Sequence, residues 1–243
     1  MFDTDPTLAK ISGLVHGFTD REGGVSTGCY ATLNMASKWG DDTDAVAENR
    51  RRVAARAGFG IDRLRTAQQV HGTAVVRATG LVRDATADAL WCRREDAVVV
   101  GVLTADCVPI LLADRDGNVA AAIHSGWRGS AANIAGAVVA TLVREGIPVA
   151  RLVATIGPCI ELEAFEVGPE VAAAFDPAFV RDQSPRPHVD LVACVRHQLA
   201  AAGIDPRAIA KVGACTHADP TRYYSFRRDG AGIGQMLAFV GFT

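Results

Sequence analysis

A chain of 243 residues that is 49% hydrophobic and 21% charged can bury a core, and it is too apolar for a disordered or low-complexity protein. A formal net charge of -2 supplies no general attraction for a polyanion, which argues against nucleic acid or an anionic membrane surface as partner. Six cysteines, at 29, 92, 107, 159, 194 and 215, are spaced too widely and irregularly for a disulfide framework.

The chain opens Met1-Phe2-Asp3-Thr4-Asp5, without the basic and apolar regions of a secretory signal. No apolar run reaches the roughly 20 residues of a membrane span. The expected location is therefore the cytoplasm. Residues 44–57 carry apolar side chains at Val46, Val53, Ala54 and Ala57 before Gly58, which predicts a helix ended by a glycine. Arg50-Arg51-Arg52 falls on it and reads as a solvated face. A short strand-like run follows at 73–76, and a β-branched strand is expected over 97–103. Residues 109–113 and 119–124 flank Asp114-Arg115-Asp116-Gly117-Asn118 and predict a hairpin. A second helix is expected over 131–145, stopped by Gly146, and a third over 191–202, capped by Asp190 and stopped by Gly203. Residues 151–156 and 208–212 complete the strands. With no repeat and no linker, the expectation is one domain over 1–243. Its class is α/β (α+β), a mixed β-sheet with helices packed on it.

The hairpin brings two metal-ligand residue types together. Opposite residues of an antiparallel pair have a constant index sum. A turn at Arg115-Asp116 gives 231, which is also the sum of Cys107 and His124. A turn at Asp116-Gly117 gives 233 and offsets the pair by two. Either register puts Cys107 and His124 close together at the open end of the hairpin. His71, in Gln69-Val70-His71-Gly72, is a third candidate, although spacing alone does not place it near the others. Two histidines and a cysteine leave one tetrahedral corner open, the pattern of catalytic rather than structural zinc. Taken singly, Cys107 also reads as a buried small hydrophobe and His124 as a hydrogen-bonded core histidine.

Gln69-Val70-His71-Gly72, Thr104-Ala105-Asp106-Cys107-Val108-Pro109 and His124-Ser125-Gly126-Trp127-Arg128-Gly129 together resemble the three signature segments of the YfiH family, formerly called multicopper polyphenol oxidase or laccase domain. The resemblance covers almost the whole chain. It includes Leu33-Asn34-Met35, Glu48-Asn49-Arg50, Gly157-Pro158-Cys159-Ile160, Cys215-Thr216 and Tyr224-Ser225-Phe226-Arg227-Arg228-Asp229-Gly230. It implies a YfiH-like fold with zinc bound by His71, Cys107 and His124. It also implies phosphorolysis of adenosine, inosine and S-methyl-5'-thioadenosine, with adenosine deaminase activity beside it. Removal of wrongly incorporated amino acids from peptidoglycan precursors is a second activity attached to some members. The chain departs from the family at Gln235, where an arginine is usual, and at Trp91-Cys92, where Val-Thr is common.

For such chemistry, Cys107, His124 and Asp106 are the catalytic candidates, with Asp106 placed to orient a zinc-bound histidine or act as general base. The glycine-rich 125–130 segment leads into a predicted helix and reads as an anion site, with Arg128 adding a charged fork. Trp127, Tyr223, Tyr224 and Phe226 are candidates for stacking on a purine. Arg227 and Arg228 are candidates for phosphate or carboxylate. Asn34 and Arg50 are substrate contacts on the strength of the resemblance. The stretch 230–234 has nucleotide-loop glycines but lacks the strand-turn-helix setting they need. Copper in place of zinc is chemically possible at the same ligands, but a laccase needs on the order of ten histidines and the chain has six. A metal-stabilised binding module without catalysis is the competing class.

Overall fold

The computed structural model describes residues 1–80, 85–182 and 185–243. Its strands are β1 (Phe2–Asp3), β2 (Leu14–Thr19), β3 (Leu64–Arg65), β4 (Val75–Arg77), β5 (Ala89–Arg93), β6 (Val99–Thr104), β7 (Val108–Asp114), β8 (Val119–Ser125), β9 (Leu152–Ile156), β10 (Val180–Arg181), β11 (His188–Val189), β12 (Ile209–Lys211) and β13 (Met236–Phe242). The α-helices are α1 (Thr43–Ala57), α2 (Trp127–Ala131), α3 (Ile134–Arg144), α4 (Pro169–Ala172), α5 (Leu191–Ala201) and α6 (Phe226–Asp229). None of the described helices is long and apolar enough to cross a membrane.

Two mixed sheets face each other. One has the order β12-β9-β7-β8-β5-β4 and the other β1-β2-β13-β6-β3, with β10-β11 a separate ribbon. The expected class, α/β with mixed sheet and packed helices, describes this architecture; the strands divide between two sheets rather than one. Side-chain alternation shows why both faces of the larger sheet are apolar. Leu90, Cys92, Leu111, Ala113, Ala120 and Ala122 point between the sheets, where they meet Phe18, Val100, Val102, Ala238 and Val240. Their alternates Trp91, Ile110, Leu112, Ala121 and Ile123 point outward, onto Val138 and Leu142 of α3 and Val195 and Leu199 of α5. On the outer face of the smaller sheet, Leu237 and Phe239 pack on Val53 and Ala54 of α1. Strands buried on both faces need near-continuous apolar sequence.

Helix caps follow the sequence. The Asp42 side chain accepts hydrogen bonds from Asp44 and Ala45 N–H at the start of α1, and Gly58 ends it at φ 82°. Asp190 caps α5 through Ala193 N–H. The helix expected over 131–145 is α3, which starts three residues later than expected, at Ile134. Asn133 adopts φ 59°, ψ 48° between α2 and α3, and its side chain accepts from Gly136 N–H to cap α3. Asparagine tolerates this left-handed conformation, and so separates α2 from the start of α3.

The hairpin takes the register with index sum 233: Pro109 faces His124 and Ala113 faces Ala120. Its turn is closed by a Gly117 N–H bond to the Asp114 carbonyl, with Gly117 at φ 72°. The bend at residues 105–107 carries the chain from β6 in one sheet to β7 in the other. Cys107 sits on that crossover.

Candidate metal centre

Three elements converge at the crossover. Cys107 ends the bend between the sheets, His124 lies on β8, and His71 lies on the loop before β4. One ligand atom from each lies within 4.8 Å of the others. The Cys107 Sγ to His71 Nε2 distance is 4.0 Å, and the two imidazoles meet edge to face, 4.8 Å between ring centres and 81° between planes. Donors bonded at about 2.0–2.3 Å to one tetrahedral ion stand close to this spacing, and thiolate with imidazole is a zinc-type donor set.

Asp88 organises both histidines. Its carboxylate, with no solvent exposure, accepts from the His124 ring through Nδ1 at 2.8 Å. That bond leaves Nε2 of His124 free to face Cys107 and His71. The same carboxylate accepts backbone N–H bonds from Val70 (3.2 Å), His71 (2.9 Å) and Gly72 (2.7 Å). These three bonds hold His71 at φ 60°, a strained left-handed conformation for a histidine. Burial raises the Asp88 pKa, but the His124 and backbone hydrogen bonds outweigh it, and the carboxyl stays below its usual range. Gln69 anchors the other end of the loop. Its side chain donates to the Leu103 carbonyl and accepts from the Leu103 N–H, both at 2.7 Å, like a further strand on β6.

Gly126 leaves room for an ion. In the hairpin register it stands opposite Cys107. A Cβ there would lie 2.8 Å from His71 Cδ2, 3.1 Å from Cys107 Sγ and 3.7 Å from a His124 carbon. Its backbone, at φ -71° and ψ 172°, is open to any residue, so space and not conformation calls for glycine. Burial raises the Cys107 pKa, but the neighbouring histidines overcome it and bring the thiol down to about 6. Burial lowers the His124 pKa, against which the Cys107 thiolate and Asp88 raise it to about 9. A thiolate held beside an imidazole suits a divalent cation, which needs the sulfur deprotonated.

Other candidates from the sequence are placed differently. Asp106, at φ 89°, does not orient a histidine. Its oxygens accept from Thr216 Oγ1 (2.6 Å), Ser225 Oγ (3.0 Å) and Arg227 N–H (2.6 Å), which fastens the C-terminal segment beside Cys107. The histidine-orienting role falls to Asp88, in the Ala87-Asp88-Ala89-Leu90 run. Asn34 is fully buried, and both ends of its amide are engaged, with Ala36, Asp41 and the Gln235 N–H. It positions chain rather than facing a ligand. Arg227 donates to the Glu166 carbonyl at 2.6 Å and lies over the Phe165 ring, so it too serves to tie segments together. Arg228 is spent on the Thr216 and Tyr223 carbonyls. Trp127 packs against the outer core, with the exposed Arg128 guanidinium 4.2 Å over its ring. The 125–130 segment does open a helix at Trp127, but α2 is only five residues long and its dipole is small. Tyr223 and Tyr224 are completely buried; Phe226 is half exposed. Trp91 and Cys92, where the chain departs from the family pattern, are buried core residues of β5.

Arg50 stands apart. Its Nε donates to the Met35 carbonyl at 2.9 Å, and among the described residues no carboxylate pairs with its cation. Burial holds its pKa below the usual arginine value. Met35 N–H bonds the Gln235 carbonyl at 3.0 Å. The β13–β6 register, Met236 opposite Thr104, continues to set Gln235 beside Ala105, two residues from Cys107. A partly buried cation with no carboxylate partner among the described residues is suited to attract an anion.

Comparison with known proteins bears on the whole chain. The profile of the family described as multi-copper polyphenol oxidoreductase laccase matches residues 15–243. A purine nucleoside phosphorylase of Deinococcus radiodurans is 41% identical over 93% of this chain and 88% of its own length. Adenosine deaminase RL5, from an unknown prokaryotic organism, is 35% identical over 95% and 96%. The crystal structure of YlmD from Geobacillus stearothermophilus superposes with a TM-score of 0.89 at 32% identity, covering 98% of this chain and 94% of that one.

Proposed function

The chain belongs to the multi-copper polyphenol oxidoreductase laccase family, and from that premise we propose that it is a zinc-dependent purine nucleoside phosphorylase with adenosine deaminase activity. The observation that carries the reading is the His71, Cys107 and His124 cluster, with Gly126 vacating the space between them. Relatives named for both activities support it.

One thiolate and two imidazoles hold either zinc or a single copper ion, and the case for zinc is that the several centres of a laccase are not found among the described residues. The remaining histidines do not assemble a second centre: His16 is buried and accepts the Asp5 N–H, while His188, His197 and His217 lie elsewhere in the sequence. The triad is the single such group among the described residues, whereas laccase chemistry needs several copper sites. A zinc ion in this setting supplies Lewis-acid chemistry.

In phosphorolysis a phosphate oxygen forms a bond to C1' of the ribose as the bond from C1' to the purine nitrogen breaks, and a proton ends on the departing base. Within this scheme Asp88 fixes the tautomer of His124 and the backbone of His71. Arg50 attracts and orients the phosphate, in preference to the surface-exposed Arg128. Asp106 keeps the 225–227 segment against the centre. We place the enzyme in the cytoplasm, since all six cysteines are free thiols, as in a reducing compartment.

The test is product analysis of zinc-loaded protein given adenosine, inosine or S-methyl-5'-thioadenosine, with and without phosphate. Free base and ribose 1-phosphate formed only with phosphate support phosphorolysis. Inosine formed from adenosine without phosphate supports deamination. Absence of both products overturns the reading.

A further inference from the structure

A single apolar side chain at a surface is ordinary, whereas several gathered around one site are informative. Among the described residues, those exposed are Val25, Val70, Val143 and Phe226. Two of these four border the candidate metal centre. Val70, 52% exposed, immediately precedes His71 and donates its N–H to Asp88. Phe226, 50% exposed, lies between Ser225 and Arg227, both of which bond Asp106, the neighbour of Cys107.

The exposure of Phe226 is built in. Tyr223 and Tyr224, just before it, are driven wholly into the core. Ser225 caps α6 by accepting the Arg228 N–H, and the two bonds to Asp106 fix the backbone on either side of Phe226. Trp39 backs it from a second segment, 6.3 Å between ring centres at 34°. Trp39 is itself held by the Tyr30 hydroxyl, which donates to its carbonyl at 2.5 Å. Its loop begins at Met35, whose carbonyl accepts from Arg50. The aromatic pair therefore joins the segment beside Cys107 to the segment that holds Arg50.

We propose that Phe226, backed by Trp39, is the platform on which the purine base stacks, with Val70 supplying apolar surface on the His71 loop. The proposal rests on the phosphorylase reading and assigns its base subsite. A preorganised aromatic face attracts a planar heterocycle whatever its edge substituents, so adenine and hypoxanthine nucleosides are both accepted. Discrimination between them must then come from groups other than this platform.

The experiment compares the zinc-loaded wild type with Phe226→Ala and Phe226→Tyr, a position exposed enough for each variant to fold. Adenine binding is measured by calorimetry, beside steady-state kinetics on inosine and phosphate and zinc content per chain. Phe226→Ala is expected to bind adenine about tenfold more weakly and to raise KM for inosine by a similar factor, with kcat changed less than about threefold and zinc content unchanged. Phe226→Tyr restores both. Equal adenine affinity in wild type and Phe226→Ala, or wild type that binds no adenine, overturns the platform. Wild type that binds adenine through Phe226 yet cleaves no nucleoside supports the platform and overturns the phosphorylase reading instead.

Discussion

Asp88 and His124 are joined by a 2.8 Å hydrogen bond in a wholly buried setting, and the same carboxylate gathers three backbone N–H groups of the His71 loop. One side chain thus sets the ring of one candidate ligand and the backbone of another. Partners of this kind commonly govern metal affinity by 10–100-fold. Asp88→Asn keeps the shape but loses the charge and one acceptor oxygen. It is expected to weaken zinc binding by about that factor, measured by competition with a chromophoric chelator. Unchanged affinity would show that the two histidines are held without it.

Gly126→Ala tests the space between the ligands. The added methyl would meet His71 and Cys107 Sγ at or inside contact distance, while the backbone accepts alanine freely. Overpacking of this kind costs about 1–3 kcal/mol. The expectation is at least a tenfold loss of zinc affinity, with a metal-free melting temperature within a few degrees of wild type. An alanine variant that binds zinc normally would remove the argument for a vacated corner.

Arg50→Gln tests the anion role. The amide can still donate to the Met35 carbonyl but brings no charge. KM for phosphate is expected to rise about tenfold or more, and KM for inosine by much less, in initial-rate measurements with each substrate varied. Equal effects on both substrates would make Arg50 a structural residue only.

Acid stability probes the hairpin. Burial raises the Asp114 pKa, but the Arg151 guanidinium, Asn118 and the Asp116 N–H outweigh it and hold the carboxyl below its usual range. A carboxyl depressed on folding stabilises the protein above its unfolded pKa of about 4. That contribution is lost as pH falls from there through the folded value. Asp114→Asn is expected to lower stability at pH 7 and to flatten its decline as pH falls below about 4, followed by urea denaturation. Parallel pH curves for the two proteins would refute the ion pair's role.

The parts of this site legible in the sequence are those fixed by local rules. A turn with Asp and Gly gave the hairpin, and the index sum of 233, one of two allowed by the turn, placed Cys107 near His124. Caps and stop glycines gave α1 and α5. His71 was recognisable by motif, yet its approach depends on Gln69 gripping Leu103 and on Asp88, contacts 34 and 17 residues away in the chain. Asp88 itself carried a readable sign, an acid at the head of the apolar run Ala89-Leu90-Trp91-Cys92, where a charge must have partners to be buried. β2 and β13 were not evident. β13 is buried on both faces, so its apolar residues show no period of two, and its partner β2 lies over 200 residues earlier. The roles of Asn34 and Arg227 could not be separated from ligand binding by sequence, because both act through backbone groups that only the fold brings near.

The most direct test of the account is Cys107→Ala assayed beside wild type for zinc content and for hypoxanthine released from inosine and phosphate. Wild type with about one zinc per chain and phosphate-dependent release, against a folded variant that has lost both, is the predicted result. Full release by a variant without zinc, or a wild type that releases hypoxanthine without binding the ion, would contradict it.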